Sequence, residues 1–276
     1  MRWKQFFTPV QSMKSDKARE YIREKTSDEI MIIDVRQPKE YEAGHIPGSK
    51  LIPLPDLDTR IDEIDPEKAA LVYCAIGGRS RVASQLLAGR GFENVIDLSG
   101  GFKAWNGEAA YGGVDLGLEL FSGNESPEHT LAVAYSLEEG LKEFYISMSL
   151  KVDNNAAKDL FKKLSGIEVK HQDRIYDEYE KISENPVARD EFIKEIVSGA
   201  IEGGLTTEEY INMMNPDWES AQSITEIAMT IEAQALDLYH RASERTDDER
   251  SKKALEQLAD EERIHLKELG KLFETF

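Results

Sequence analysis

One four-residue pattern occurs twice in this chain at a fixed offset. Glu138 is followed by Tyr145, Glu168 and His171. Glu232 is followed by Tyr239, Glu262 and His265, and each member of the second set lies 94 residues after its counterpart. The shared spacing is Glu-x6-Tyr-x22-Glu-x2-His. Residues three apart share a helix face, so Glu168 and His171 can reach one ion together, as can Glu262 and His265. Residues seven apart lie two turns along one face, which sets each tyrosine beside its glutamate.

The faces that carry these residues are apolar. Glu138 falls in a stripe with Leu131, Ala134, Leu141 and Met148, and Glu232 with Thr225, Ala228, Ala235 and Leu236. Glu168 shares its face with Phe161, Leu164 and Ile175, and Glu262 with Leu255, Leu258 and Leu269. A buried carboxylate without a partner is costly and tends to protonate. Four of them converging on one core need cations, and hard oxygen ligands with two imidazoles suit iron or manganese. A lone Glu-x-x-His reads as a surface pair. Two copies at equal offsets, on four apolar faces, read as a metal ligand set.

Four long amphipathic segments carry the pattern, near 127–152, 154–183, 220–244 and 247–274. The stretch 184–219 is too long for a turn; it holds a predicted extra helix over 188–204 and a breaker at 212–217. Two helix pairs joined by one long crossover make a four-helix bundle.

The chain before residue 110 has a different texture. Short apolar runs at 30–35, 50–53, 70–74 and 94–97 predict strands, with helices over 17–25 and 79–89. Alternation of this kind predicts an α/β unit with a largely parallel sheet. Residues 107–127 are rich in glycine and turn formers and read as a linker. The expected division is 1–108, a linker over 109–126, and a bundle over 127–276.

Cys74 is the chain's one cysteine, which excludes an intrachain disulfide and a four-cysteine metal site. It stands between the strand ALVY and a helix starting near Ser80, in the loop CAIGGR. Backbone N–H groups at such a helix start stabilise an anion and lower a thiol's pKa, and Arg79 and Arg81 add positive charge nearby. The product would be a thiolate able to attack sulfur.

Charge and composition bound the partners. The net charge of −19 is uneven: residues 1–110 carry 16 basic and 17 acidic side chains, and the remaining 166 carry 18 and 36. That asymmetry supports a boundary near 110 and argues against a nucleic-acid partner. The acidity reads as a solvated helix surface. No apolar run approaches the ~20 residues needed to span a bilayer. The start of the chain lacks the apolar core of a secretory signal, so a cytoplasmic protein is expected.

The segment 127–276 resembles the ferritin-like superfamily, and within it the rubrerythrin-type di-iron proteins. The resemblance implies two iron ions, with manganese or zinc as alternatives. Glu138 and Glu232 would be single-glutamate ligands, Glu168 and Glu262 bridges, and His171 and His265 caps on one metal each. Tyr145 and Tyr239 would hydrogen-bond near the site. Two departures stand out: Ala235 occupies the place of an additional glutamate, and no Cys-x-x-Cys electron-transfer domain is present. Electrons would come from a separate donor.

Residues 34–49 (DVRQPKEYEAGHIPGS), the Cys74 loop and 98–105 (LSGGFKAW) together resemble the rhodanese family across roughly 5–108. The resemblance implies that Cys74 accepts sulfane sulfur as a persulfide, with Ala75, Ile76, Gly77, Gly78 and Arg79 around it. A small-molecule sulfur donor and a thiol acceptor would be the partners. The Cys-x4-Arg loop has the length of sulfur-handling members; related cell-cycle phosphatases use one residue more. Asp34, Arg36 and Glu40 would support the wall, and a role in fixing turns and strand ends is read for them and His45 over direct chemistry. Ile76 makes the loop less cationic than in thiosulfate-favouring members.

The expectation is thus a sulfurtransferase fused to a di-iron domain that acts on peroxide, oxygen or a sulfur species, possible as a homodimer by analogy. A sulfur carrier with a metal-binding or sensing bundle is the alternative. An iron-storage cage subunit is disfavoured, because the attached domain would obstruct shell packing.

Overall fold

The structure, a computed structural model, describes residues 10–121, 123–192 and 202–276. It divides into two compact units, Met1–Val114 and Asp115–Phe276.

The first unit is built on five parallel strands in the order β1-β5-β4-β2-β3. These are β1 (Gln11–Met13), β2 (Ile30–Asp34), β3 (Ser49–Leu51), β4 (Ala69–Tyr73) and β5 (Val95–Leu98). Helices α1 (Ser15–Arg23), α2 (Pro38–Glu42) and α3 (Gly78–Gly89) lie between them in sequence. Central strands of a parallel sheet are covered on both faces, which is why β4 is buried throughout. Strand alternation divides the core. Ile33, Val35, Val72, Cys74 and Val95 pack with Ala83 and Leu87 of α3, whereas Ile32, Leu71, Tyr73, Ile96 and Leu98 pack with Ala18 and Ile22 of α1. Each fully buried aliphatic side chain in such a core contributes ~1.5–3 kcal/mol. Asp34, Cys74 and the turn after Leu98 all stand at the carboxyl ends of their strands, where parallel sheets place their sites.

The second unit contains four long helices: α4 (Pro127–Lys151), α5 (Asn155–Ile182), α8 (Ala221–Ser243) and α9 (Glu249–Phe273). Their starts are capped as their sequences dictate. Ser126, Asn154, Ser220 and Asp248 each accept backbone N–H groups of the first turn, and Pro127 needs no such partner. The crossover holds α6 (Arg189–Phe192) and α7 (Thr207–Met214). Of the helix predicted over 188–204, only Arg189–Phe192 and a single turn at Glu202–Gly204 fall among the described residues. The expected breaker is the C-terminal end of α7, which stops at Asn215 in a left-handed conformation, φ 42°. Its start is a capping box of Thr206 and Glu209.

Two large apolar clusters fill most of the bundle core. One gathers Leu131–Leu137 positions of α4, Ile175 and Tyr179 of α5, Ala235–Ala242 positions of α8 and Ala254–Ala259 positions of α9. The other gathers Leu141–Met148 positions of α4, Ala157–Leu164 positions of α5, Ile224–Ile231 positions of α8 and Leu269. The six predicted ligands lie between these clusters along every helix. Among the described residues, no helix is long and apolar enough to cross a membrane.

The segment expected as a linker is divided between the units. Ala110 pairs with His45 through both backbone groups, 2.8 and 3.0 Å, in the first unit. Leu118 and Phe121 are buried in the second, where Arg241 donates to the Leu116 carbonyl at 2.6 Å. Among the glycines of this stretch stand apolar side chains, of which Leu118 and Phe121 are buried and Leu120 packs partly against them.

Candidate thiol loop and metal centre

Cys74 follows β4 directly, and its side chain is only 1% exposed. The loop behind it turns at Gly77, φ +93°, so that the N–H of Gly77 donates to Cys74 Sγ at 3.1 Å. The turn after β5 presses against the loop from the other side. Phe102 N–H donates to the Cys74 carbonyl at 2.7 Å, and Lys103 N–H to that of Ala75 at 2.9 Å. Only glycine fits at 101: with φ +60°, a Cβ there would lie 2.2 Å from the Cys74 carbonyl oxygen. The GGFK of the LSGGFKAW motif is thus a backbone contact surface for the thiol loop.

Burial alone favours the neutral thiol. Hydrogen bonds from the backbone N–H and hydroxyl of Ser80, and from the N–H groups of Ile76 and Gly77, outweigh it and bring Cys74 below its usual pKa. Of the nearby arginines, one is tied to a carboxylate and the other lies largely in solvent. Arg79 grips Glu40 with two hydrogen bonds, 2.8 and 2.7 Å, and these hold the Glu40 carboxyl down at about 2. Arg81 is largely exposed, with Nε 3.9 Å from Asp97. Ile76, at the loop tip, is 70% exposed.

Asp34 and Arg36 form a buried pair with four hydrogen bonds of 2.7–3.0 Å. Arg36 also donates to the Gly44 carbonyl at 2.7 Å and lies over the Phe102 ring, 4.5 Å from its centroid. The pair therefore ties the end of β2 to the 44–45 turn and the 100–105 segment. His45 stacks on Tyr41 at 3.5 Å, and its Nδ1 lies 2.9 Å from the Tyr41 carbonyl.

In the bundle, the two sequence triads assemble in the same way. One ligand atom from each of Glu138, Glu168 and His171 lies within 4.8 Å of the others, and so it is for Glu232, Glu262 and His265. His171 Nδ1 stands 2.8 Å from Glu168 and 3.3 Å from Glu138. His265 Nδ1 stands 2.9 Å from Glu262 and 3.5 Å from Glu232. The imidazoles stack across the bundle with centroids 3.5 Å apart and planes 2° from parallel, bringing the triads side by side. All six residues are buried.

This polar level is underpaired. Oε1 of Glu168, Oε2 of Glu232 and Nε2 of His265 are buried and make no hydrogen bond. Burial pushes both Glu168 and Glu232 towards protonation. At Glu232, proton sharing with Glu262 and the contacts with His265 and His171 prevail and hold its carboxyl low. Its charge then adds to burial in pushing Glu168 up. Buried carboxylate oxygens and an imidazole nitrogen without partners are what a pair of divalent cations would satisfy.

The tyrosines separate. Tyr145 packs in one apolar cluster beside Phe144 and Phe161, and Tyr239 in the other against Phe121. Ala235 is buried in the same cluster as Tyr239. The repeat also breaks beside the ligands. Glu139 accepts from Lys142 and Gln172, both at 2.5 Å. The positions 94 residues on, Ala233, Leu236 and Leu266, form an apolar cluster. Sequence reasoning passed over these residues, and over Ser80, Asp97 and Gly101; comparing the two repeats position by position exposes the first group.

Comparison with known proteins agrees with this division. A rhodanese-like domain model matches residues 16–108, and a rubrerythrin model matches residues 129–273. An uncharacterized protein, YqhL, of Bacillus subtilis is 44% identical over 28% of this chain; the chain spans 61% of that relative's length, less than two thirds. The thiosulfate sulfurtransferase GlpE of Pseudoalteromonas translucida is 37% identical over 30% of this chain and 78% of its own. A rhodanese-like domain protein of Staphylococcus aureus of known structure is 27% identical, with TM-score 0.33, over 35% of this chain and 92% of its own. A sulfurtransferase-type α/β unit thus precedes a ferritin-like, di-iron-type bundle, and the chain belongs to the rubrerythrin family with a rhodanese-like domain ahead of the family's helices.

Proposed function

We propose that this protein is a rhodanese-type sulfurtransferase that carries sulfane sulfur on Cys74, fused to a di-iron oxidoreductase acting on peroxide, oxygen or a sulfur species. The observation that carries the first half is the buried Cys74 Sγ accepting the Gly77 N–H at 3.1 Å, in a loop whose Ile76 and Ser80 groups also lower the thiol's pKa. The thiolate attacks the outer sulfur of a small sulfane-sulfur donor. The new S–S bond forms as the bond to the rest of the donor breaks, and the donor leaves with that electron pair. An acceptor thiolate then attacks the outer sulfur and releases Cys74 as thiolate. The same N–H groups stabilise sulfur's charge before and after transfer. Arg79, held by Glu40, shapes the wall beside the loop.

The second half rests on the paired triads and their unsatisfied buried atoms. Glu138, Glu168 and His171 would hold one iron and Glu232, Glu262 and His265 the other. Bound iron would supply one-electron chemistry, with electrons from a separate donor protein. The apolar clusters on either side exclude water from the ligand level. A lone thiolate and reducible metal suit a reducing compartment such as the cytoplasm. Sulfur transfer from thiosulfate or a persulfide donor should be abolished by Cys74→Ala, and full activity in that variant sinks the first half. Reduced, iron-loaded protein should be oxidised by hydrogen peroxide or oxygen.

A second reading is a sulfur carrier with a structural or sensing metal site. The two closed apolar clusters favour it. Reduced di-iron protein that reacts with neither oxidant would establish it over the first.

A further inference from the structure

Strand β5 contains one charged residue, Asp97, and alternation turns it inward. Val95 faces the α3 side of the sheet with Val72 and Cys74, while Ile96 and Leu98 face the other. Asp97 therefore points beneath the start of α3, and it is 2% exposed. Its Oδ1 accepts the Ser80 hydroxyl at 2.6 Å. Ser80 is fully buried, and its backbone N–H and hydroxyl both help to hold the Cys74 thiol below its usual pKa. A serine hydroxyl has a single proton to donate.

The other charges around the thiol are largely balanced. Asp34 is paired with Arg36, and Glu40 of α2 with Arg79 of α3. The Lys103 side chain is exposed and its backbone N–H is bonded to Ala75. Asp97 has Arg81 as its nearest cation, 3.9 Å away and largely in solvent. The Ser80 hydroxyl is thus the one donor that the buried carboxylate and the buried sulfur have in common.

Given the reading of Cys74 as a thiolate, we propose that Asp97 is a positioning residue that competes with Cys74 for the single proton of the Ser80 hydroxyl. With the thiol protonated, the hydroxyl points to Asp97. When the sulfur carries charge, the hydroxyl rotates to it and Asp97 loses its donor. Asp97 thereby restrains the reactivity that the N–H cradle confers, and removing its charge should release that restraint.

Cys74 is the chain's one cysteine, so thiolate absorbance and iodoacetamide alkylation against pH, on the full chain, both report this site alone. Ser80→Ala should raise the apparent pKa by about one unit, the size of one lost hydrogen bond to a charged group. Asp97→Asn should lower it by ~0.5–1 unit, because a neutral amide competes less well for the hydroxyl. In the Ser80→Ala background the Asp97→Asn effect should shrink to less than half. Ser80→Thr should restore the wild-type profile. If Asp97→Asn does not fold, Asp97→Leu, of similar size and no hydrogen-bonding capacity, should lower the pKa at least as far. An Asp97→Asn shift that is upward, or equal in both backgrounds, overturns the competition. The titration reads Cys74 whether or not it transfers sulfur, so a wild-type protein inactive in sulfur transfer would remove the enzymatic reading and leave this result standing.

Discussion

Replacing Glu168 by glutamine should make the metal-free protein more stable and the metal-bound protein less so. Glu168 is fully buried, and burial and the charge of Glu232 push its carboxyl up. Without metal at neutral pH, folding must either desolvate its charge or hold its proton. The imidazole of His171, 2.8 Å away, offsets part of that cost. Glutamine has the same shape and no charge, so we expect a gain of ~2 kcal/mol, or ~4–8 °C in the bundle's melting transition. The pH dependence has a definite sign. A carboxyl raised in the folded state is fully stabilising only below its unfolded value near 4.5, and stability is lost as pH rises through the folded value. The gap between variant and wild type should therefore be small at acid pH and open towards neutral. Metal reverses the order. Ferrous or manganous ion at ~100 times its dissociation constant adds ~2.7 kcal/mol per site to wild type, and the variant, with a neutral amide in place of a carboxylate ligand, gains less. Helical circular dichroism during melting, with chelator and with metal, reads both arms. A metal-free variant less stable than wild type at neutral pH, or equal metal shifts in both proteins, would refute the reasoning.

Other substitutions probe the first unit. Gly101→Ala sets a Cβ 2.2 Å from the Cys74 carbonyl oxygen and should cost ~2–4 kcal/mol in denaturant melts while speeding Cys74 alkylation. Arg36→Ala leaves Asp34, fully buried, without its cation and should cost ~3–5 kcal/mol, part of it recovered by adding Asp34→Ala. In Arg79→Ala the Glu40 carboxyl should titrate well above the value of about 2 that it has in wild type, because its largest stabilising partner is gone, as carboxyl chemical shifts against pH would show.

The bundle was largely legible in the sequence because its ligands break its own hydrophobic pattern, and break it twice. Periodicity located α4, α5, α8 and α9 to within about two residues. What periodicity cannot register is shorter than a period. Strand β1, Gln11–Met13, has no apolar signature of its own and is defined by pairing with β5. The five-residue α2 rests on the Gln37–Glu40 capping box, which a search for long helices passes over. The thiol loop was legible as strand, cysteine, glycines and arginine. The engagement of Arg79 by Glu40 was not, because it depends on a partner 39 residues away. Asp97 was visible as one charge in an apolar strand, but its meaning depends on which way that strand faces.

Iron content per chain tests the central claim most directly. Protein reconstituted anaerobically with ferrous iron and freed of excess should hold two irons per chain. Glu168→Ala and Glu262→Ala should each hold fewer, with a changed optical spectrum. A folded wild-type protein that binds no iron, or variants that keep the full complement, would contradict the assignment of Glu138, Glu168, His171, Glu232, Glu262 and His265 as one di-metal centre.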